Sequence, residues 1–95
     1  MVVGLGMITF RLHDCHSLKE KRKIMKAIIN RLRNRFNVSI AEVGSNDMYW
    51  KTEIGFALVG NDRKTINSKT DKIFNLADRL GLAEIIDTQM EMINL

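Results

Sequence analysis

The sequence has no proline and only one cysteine, Cys15. A single thiol excludes an intrachain disulfide and a zinc site built from several thiolates of one chain, and it suits a reducing compartment. No apolar run reaches the ~18 residues of a membrane-spanning helix. The first residues carry neither a basic stretch ahead of an apolar segment nor a small-residue cleavage site. We therefore expect a cytoplasmic protein without a membrane segment.

The chain also lacks linker-like segments, low-complexity tracts and internal repeats. Its 95 residues are 45% hydrophobic, which is enough for one two-layer core but not for two. This length and composition predict a single domain over residues 1–95.

Two hydrophobic patterns define the first part of the chain. Ile8, Phe10 and Leu12 alternate with polar residues, which predicts a strand with these three side chains facing the core. Ser17 and Glu20 match a capping box, so a helix is expected to begin there and to run for about five turns. Apolar residues at helical spacing form its core face: Leu18, Met25, Ile28, Ile29, Leu32 and Phe36.

The second part of the chain predicts three more strands and one more helix. Two strands and the turn between them are expected in NVSIAEVGSNDMYWKTEIGFALVG. A helix is expected to start after Asn61 or Asp62 and to stop at Gly81, and AEIIDTQMEMINL predicts the last strand. The order β-α-β-β-α-β is typical of an α+β ferredoxin-like sandwich, in which a four-stranded antiparallel sheet carries both helices on one face.

Several of these stretches resemble the YlxP-like proteins, a bacterial family of unknown function. They are HSLKEKR at 16–22, RNRFNVSIAEV at 33–43, Glu53-x-Gly55 and Asn61-Asp62-Arg63. The resemblance spans essentially the whole chain and implies a ferredoxin-like sandwich. Genes of this family commonly lie beside those of translation-initiation and ribosome-maturation factors, which implies an association with RNA or the ribosome. His13 and Cys15 depart from the family pattern, so the resemblance does not support chemistry that needs both.

The stretch HDCHSLKEKR, residues 13–22, holds both histidines and the cysteine. Adjacent residues rarely converge on one ion, and no other His or Cys completes a ligand set, so we expect no metal site. Neighbouring side chains also diverge, which disfavours a nucleophile and base made of Cys15 and His16, and we expect no catalytic residue and no cofactor. A helix N-terminus attracts anions, but the capping box uses its free N–H groups. We still predict that His16 can contact an anion. An enzyme or small-molecule binder that uses Cys15 and His16 remains an alternative.

The distribution of charge is the strongest functional signal. Arg11–Arg35 holds nine basic and two acidic residues, whereas residues 83–95 hold three acidic and no basic ones. Five cations fall on one flank of the first helix: Lys19, Arg22, Lys23, Lys26 and Arg33. Only Glu20 is available for pairing within the helix, so the charges favour an RNA backbone as partner over intrahelical salt bridges. A solvated helix face gives the same pattern. Arg63 and Lys64, at the start of the second helix, are predicted to assist.

Three other cations lie elsewhere on the first helix. Arg31 and Arg35 are expected on the opposite flank. Lys21 lies beside the apolar face, where we expect its stem to cover the core while its ammonium group reaches water.

The sheet offers little for base stacking. RNA recognition motifs of this fold stack bases on aromatic side chains of the two central strands. Here Phe10 and Phe56 are expected in the core, so only His13 is left among the outward aromatic rings of those strands. Tyr49 and Trp50, in the turn between the second and third strands, are expected to cover the core.

The open face of the sheet predicts a second kind of contact. Val3, Leu5 and Met7 are expected to form an apolar patch there, which suits a homodimer. Asp87 and Glu91 of the last strand border this patch and repel RNA, so RNA is expected on the helical side. The sequence thus favours a non-enzymatic RNA- or ribosome-associated module, and the alternative is a protein-interaction or homodimerisation domain that uses the open sheet.

Overall fold

The computed structural model describes residues 1–95 and contains six regular elements in the predicted order. They are β1 (Val2–Arg11), α1 (Leu18–Arg35), β2 (Ser39–Gly44), β3 (Lys51–Gly60), α2 (Arg63–Arg79) and β4 (Glu84–Asn94). The strands form one antiparallel sheet in the order β2-β3-β1-β4. The predicted ferredoxin-like sandwich is confirmed.

The two central strands set the inner face of the sheet. Ile8 lies opposite Ile54 in the β1–β3 register, and both are fully buried, as is Phe10. The helices cover these side chains with buried apolar residues of their own, namely Ile28, Leu32, Ile66, Ile73 and Ala77. Removing this apolar surface from water is the main source of stability for the sandwich. The predicted alternation of the first strand and the predicted burial of Phe56 are therefore correct.

One glycine allows a bulky ring to lie against the sheet. Gly6 faces Phe56 in the register, and a Cβ at Gly6 would overlap the phenyl ring. Phe56 then meets Phe74 of α2 edge-on, with ring centroids 5.6 Å apart. This aromatic pair fixes α2 over the centre of the sheet.

Both helices begin at a side-chain cap. Ser17 Oγ accepts a hydrogen bond from Glu20 N at 3.1 Å, which is the first bond of the predicted capping box. The return bond differs from the prediction, because Glu20 Oε2 accepts from His16 N at 2.8 Å, one residue before the cap, and not from Ser17 N. Asp62 Oδ2 accepts from Thr65 Oγ1 at 2.7 Å and from Thr65 N at 3.2 Å. These bonds favour the ionised carboxylate, and they lower the pKa of Asp62 below its ordinary value.

The two helices start at opposite ends of the sheet. α1 follows Arg11, which pairs with Lys51, whereas α2 follows Gly60, which pairs with Val2. The first turn of α1 therefore lies near the β2–β3 turn, and the first turn of α2 lies at the far end. Neither helix is long and apolar enough to cross a membrane.

Candidate nucleic-acid interface

The predicted basic residues of α1 form an exposed surface, which we call the cationic flank. Its members are Lys19, Arg22, Lys23, Lys26 and Arg33, and all of them are exposed. None has a carboxylate within 4.0 Å, because the two ion pairs of the structure are His13 with Glu84 and Lys21 with Glu42. The flank therefore presents unneutralised positive charge to solvent.

The cationic flank lies on the side of α1 that faces the β2 edge of the sheet. Arg33 Nη2 donates a hydrogen bond to Ile40 O in β2, at 3.3 Å. Towards the start of the helix, a shallow depression of about 320 Å³ is bordered by Arg22, Lys23 and Lys26, together with Met25. An anion at this surface meets cations along several turns of one rigid helix.

Lys21 belongs to the same run of charges but points into the protein. Its residue is 1% exposed, and its Nζ donates to Ser45 O and Met48 O, each at 2.6 Å. The ammonium also lies 3.0 Å from Glu42 Oε2, which accepts from Thr52 Oγ1 at 2.8 Å. The expectation that this ammonium reaches water is wrong, because the β2–β3 turn folds over it and supplies its hydrogen-bond acceptors.

The buried lysine holds the β2–β3 turn in an uncommon backbone shape. Ser45 has a positive φ of 60°, and its Oγ donates to Glu53 Oε2 at 2.8 Å. Gly44 lets this carboxylate approach, because a Cβ at Gly44 would overlap Glu53. Part of the sequence signal in HSLKEKR, from Ser17 to Lys21, is thus structural: it caps α1 and anchors the turn.

The histidines and the cysteine do not come together. Cys15 is 5% exposed, and its Sγ lies 3.5 Å from Ser17 O. His16 is exposed at the start of α1, while His13 lies on the other side of the stretch, 3.2 Å from Glu84 Oε1. No group of three or more His, Cys, Asp or Glu side chains converges. The hydrogen bond of Cys15 Sγ goes to Ser17 O and not to His16, and the exposed His16 is accessible as an anion contact.

Arg63 and Lys64 are exposed but stand apart from the first half of the cationic flank. They begin α2 at the Val2–Gly60 end of the sheet, whereas Lys19 lies near the other end. A strand of ten residues such as β1 spans about 33 Å. The length of the sheet separates these two cations from Lys19, and their contribution to RNA binding stays a prediction.

The open face of the sheet is apolar at one end. Val59 and Ile93 are 63% and 44% exposed, on either side of β1 in the register. On β4, Glu91 lies opposite Leu5 on this face. The predicted patch residues Val3, Leu5 and Met7 are half-buried, and Leu5 and Met7 line a mostly apolar depression, so the expected apolar patch is present and Glu91 borders it.

The aromatic residues of the β2–β3 turn do not cover the core. Tyr49 and Trp50 are 44% and 43% exposed. The guanidinium carbon of Arg11 lies 5.9 Å from the centroid of the Trp50 ring. The expectation of burial is wrong, because the anchored turn carries both rings past the end of the core.

A second cationic surface was missed by sequence reasoning. Arg35 of α1 and Lys72 and Arg79 of α2 line one groove between the helices. The helical period of α1 separates Arg35 from the cationic flank. The partners on α2, however, depend on how the two helices pack, which a single sequence does not show.

Comparisons with known proteins find sequence relatives over almost the whole chain. Residues 3–90 match the family model described as "Protein of unknown function (DUF503)". An uncharacterised protein of Bacillus subtilis (strain 168), YlxP, is 32% identical over 90 residues, which cover 95% of this chain and 98% of that protein.

Solved structures show the same architecture at low sequence identity. The designed protein Foldit4 has a TM-score of 0.55 at 11% identity, with 100% of this chain and 99% of that chain covered. SnoaB, a cofactor-independent oxygenase from Streptomyces nogalater, has a TM-score of 0.53 at 8% identity, with 98% and 92% covered. At these identities the likeness concerns the fold alone.

Proposed function

This chain belongs to the DUF503 family, and we propose that it is a non-enzymatic, cytoplasmic RNA-binding module that contacts RNA, free or in a ribosomal particle, through the cationic flank of α1. One observation carries the proposal: five cations lie exposed along this flank, and no carboxylate lies within 4.0 Å of any of them. Like charges on one helix repel each other, and a polyanion relieves that repulsion.

Affinity on this surface comes from phosphates rather than from bases. Each lysine or arginine that contacts a phosphate releases condensed counterions, so binding weakens as salt rises. The open sheet lacks outward aromatic residues on its central strands and carries Asp87 and Glu91 at its edge. Both features favour contact on the helical side and recognition that depends little on sequence.

Charge reversal on the flank tests the proposal. The triple variant Arg22→Glu, Lys26→Glu, Arg33→Glu is expected to bind RNA at least about tenfold more weakly at low salt. Its logarithmic salt dependence should also be shallower, by about 0.7 for each lost contact to a single strand. Filter binding over a salt series measures both quantities, and circular dichroism checks that the variant is folded.

A matched single substitution controls for the change in net charge. Lys69→Glu reverses an exposed charge on α2, outside the flank, and should weaken binding much less than Arg22→Glu. Equal effects of the two substitutions, or a triple variant with unchanged affinity, would refute the flank as the RNA surface. In cell lysate, the wild-type protein should sediment with ribosomal particles at low salt and leave them at high salt.

The open sheet supports a second candidate function, that of a homodimerisation domain. Val59 is 63% exposed and Val43 is 57% exposed on strands that border the apolar patch. Light scattering should then report a dimer for the wild type and a monomer for Leu5→Glu. If the wild type is a monomer at every concentration, RNA binding is the better account. The same holds if nuclease treatment abolishes the signal of proteins pulled down with it.

A further inference from the structure

The groove between the two helices is about twice as large as the depression beside the cationic flank. It has a volume of about 670 Å³. Arg35, Lys72 and Arg79 line it together with the half-buried Phe36 and Leu76, which give it an apolar floor. An adjoining depression on the same helices adds Arg31. Ligand sites of proteins commonly have volumes of about 300–1,000 Å³.

The charges in this groove are not balanced within the protein. Asp78 is the one acidic residue of its lining, and it takes part in no salt bridge. None of Arg35, Lys72 and Arg79 has a carboxylate within 4.0 Å. Three cations on two different helices therefore line one space and outnumber its single carboxylate, so an anion entering it gains attraction from both sides.

We propose that this groove receives an unpaired stretch of RNA, so that the protein prefers RNA with a single-stranded segment to a continuous duplex. The inference rests on the proposed RNA binding and names the class of RNA. A space of about 670 Å³ has the size of a site for a drug-sized ligand, so it can take a short unpaired segment but not a duplex. Proteins that bind single strands combine a positively charged groove with surfaces on which bases stack. Here Arg35, Lys72 and Arg79 supply the positive charge, and Phe36 on the floor supplies the stacking surface.

The groove and the cationic flank lie on opposite sides of the last turn of α1. Arg33 lies on the flank, and Arg35 lies on the opposite side of the same turn. A strand that leaves the groove across this turn would meet Arg33 next. The two surfaces can thus hold one RNA whose paired part lies along the flank and whose unpaired part enters the groove.

The test compares three RNA probes of equal length by fluorescence anisotropy: a single strand, a blunt duplex and a duplex with a single-stranded tail. The groove variant is Arg35→Glu with Lys72→Glu, and the flank variant is Arg22→Glu with Lys26→Glu. The single variants Lys72→Glu and Lys69→Glu form the matched pair, since Lys69 is an exposed cation one turn before Lys72 and outside the groove lining.

Wild-type protein is expected to bind the tailed duplex at least about fivefold more tightly than the blunt duplex, in keeping with stacking and phosphate contacts of the tail. The groove variant should lose this preference and keep its affinity for the blunt duplex, whereas the flank variant should bind all three probes more weakly and keep the preference. Equal affinities of wild type for tailed and blunt duplexes, or equal effects of Lys72→Glu and Lys69→Glu on this preference, would overturn the inference while RNA binding stands. If wild type binds none of the probes, the proposed function itself fails.

Discussion

Two regions of α1 carry the same kind of charge and have different surroundings. Lys21 lies in a buried polar cluster in which every partner comes from β2, β3 or the turn between them. Arg22 and Lys23, the next two residues, are exposed and have no carboxylate partner. A cation surrounded by acceptors stabilises the fold, and a cation without them is available to a ligand. The density of charge in a sequence does not separate these cases, but the packing does.

The largest loss of stability is expected when the buried cation, Lys21, is removed. Lys21→Ala removes the cation while Glu42 and two turn carbonyls remain, and losing one member of a buried pair costs about 3–5 kcal/mol. Because the Glu42 side chain is 17% exposed, we expect the lower end of that range. Urea unfolding followed by the fluorescence of Trp50, the single tryptophan, measures the loss at the turn that Lys21 anchors.

The exposed neighbour provides the control. Lys23→Ala should change the free energy of unfolding by no more than about 0.5 kcal/mol, as is usual for an exposed site. If Lys21→Ala were as mild as Lys23→Ala, the lysine would not anchor the turn. In Lys21→Met with Glu42→Gln, the loss should be smaller than the sum of the two single losses, because the two side chains interact directly.

Local patterns predicted the parts of the fold that depend on near neighbours in sequence. The alternation of Ile8 and Phe10 set the inner face of β1, and the spacing of Ser17 and Glu20 set the start of α1. Each rests on a period or a cap within a few residues. These patterns would be visible in any single sequence of this fold.

The surroundings of individual charges were predicted less well, because they depend on contacts between distant segments. The acceptors of Lys21 are Ser45 and Met48, which lie 24 and 27 residues further along the chain. Arg35 meets Lys72 only because α1 and α2 pack side by side. A helical period assigns a side chain to a flank, but it does not say which element covers that flank.

A smaller loss of stability is expected at the cap of α1. A variant of this cap tests whether the motif stabilises the helix or contacts RNA. Ser17→Ala removes the Oγ that accepts from Glu20 N, and loss of such a cap costs about 1 kcal/mol. RNA affinity of the folded variant should stay within about twofold of wild type, since Ser17 carries no charge. Thermal unfolding and filter binding on the same preparation check both statements. A large loss of affinity with unchanged stability would place Ser17 in the RNA contact instead.

The smallest effect is expected at the cap of α2, where the acceptor is a carboxylate and not a hydroxyl. The side-chain and backbone hydrogen bonds from Thr65 lower the pKa of Asp62 in the folded protein, so its ionised form contributes stability at neutral pH. That contribution is fully present above the unfolded pKa of about 3.9 and is lost as the pH falls through the lower folded pKa. Asp62→Asn keeps a capping oxygen but does not titrate, so the stability difference between wild type and variant should shrink as acid is added below about pH 4. Ser17→Ala, at the other cap, should show no such pH dependence in urea unfolding, because a hydroxyl does not ionise in this range. Parallel pH profiles for wild type and Asp62→Asn would mean that Thr65 does not hold the Asp62 carboxylate in its ionised form.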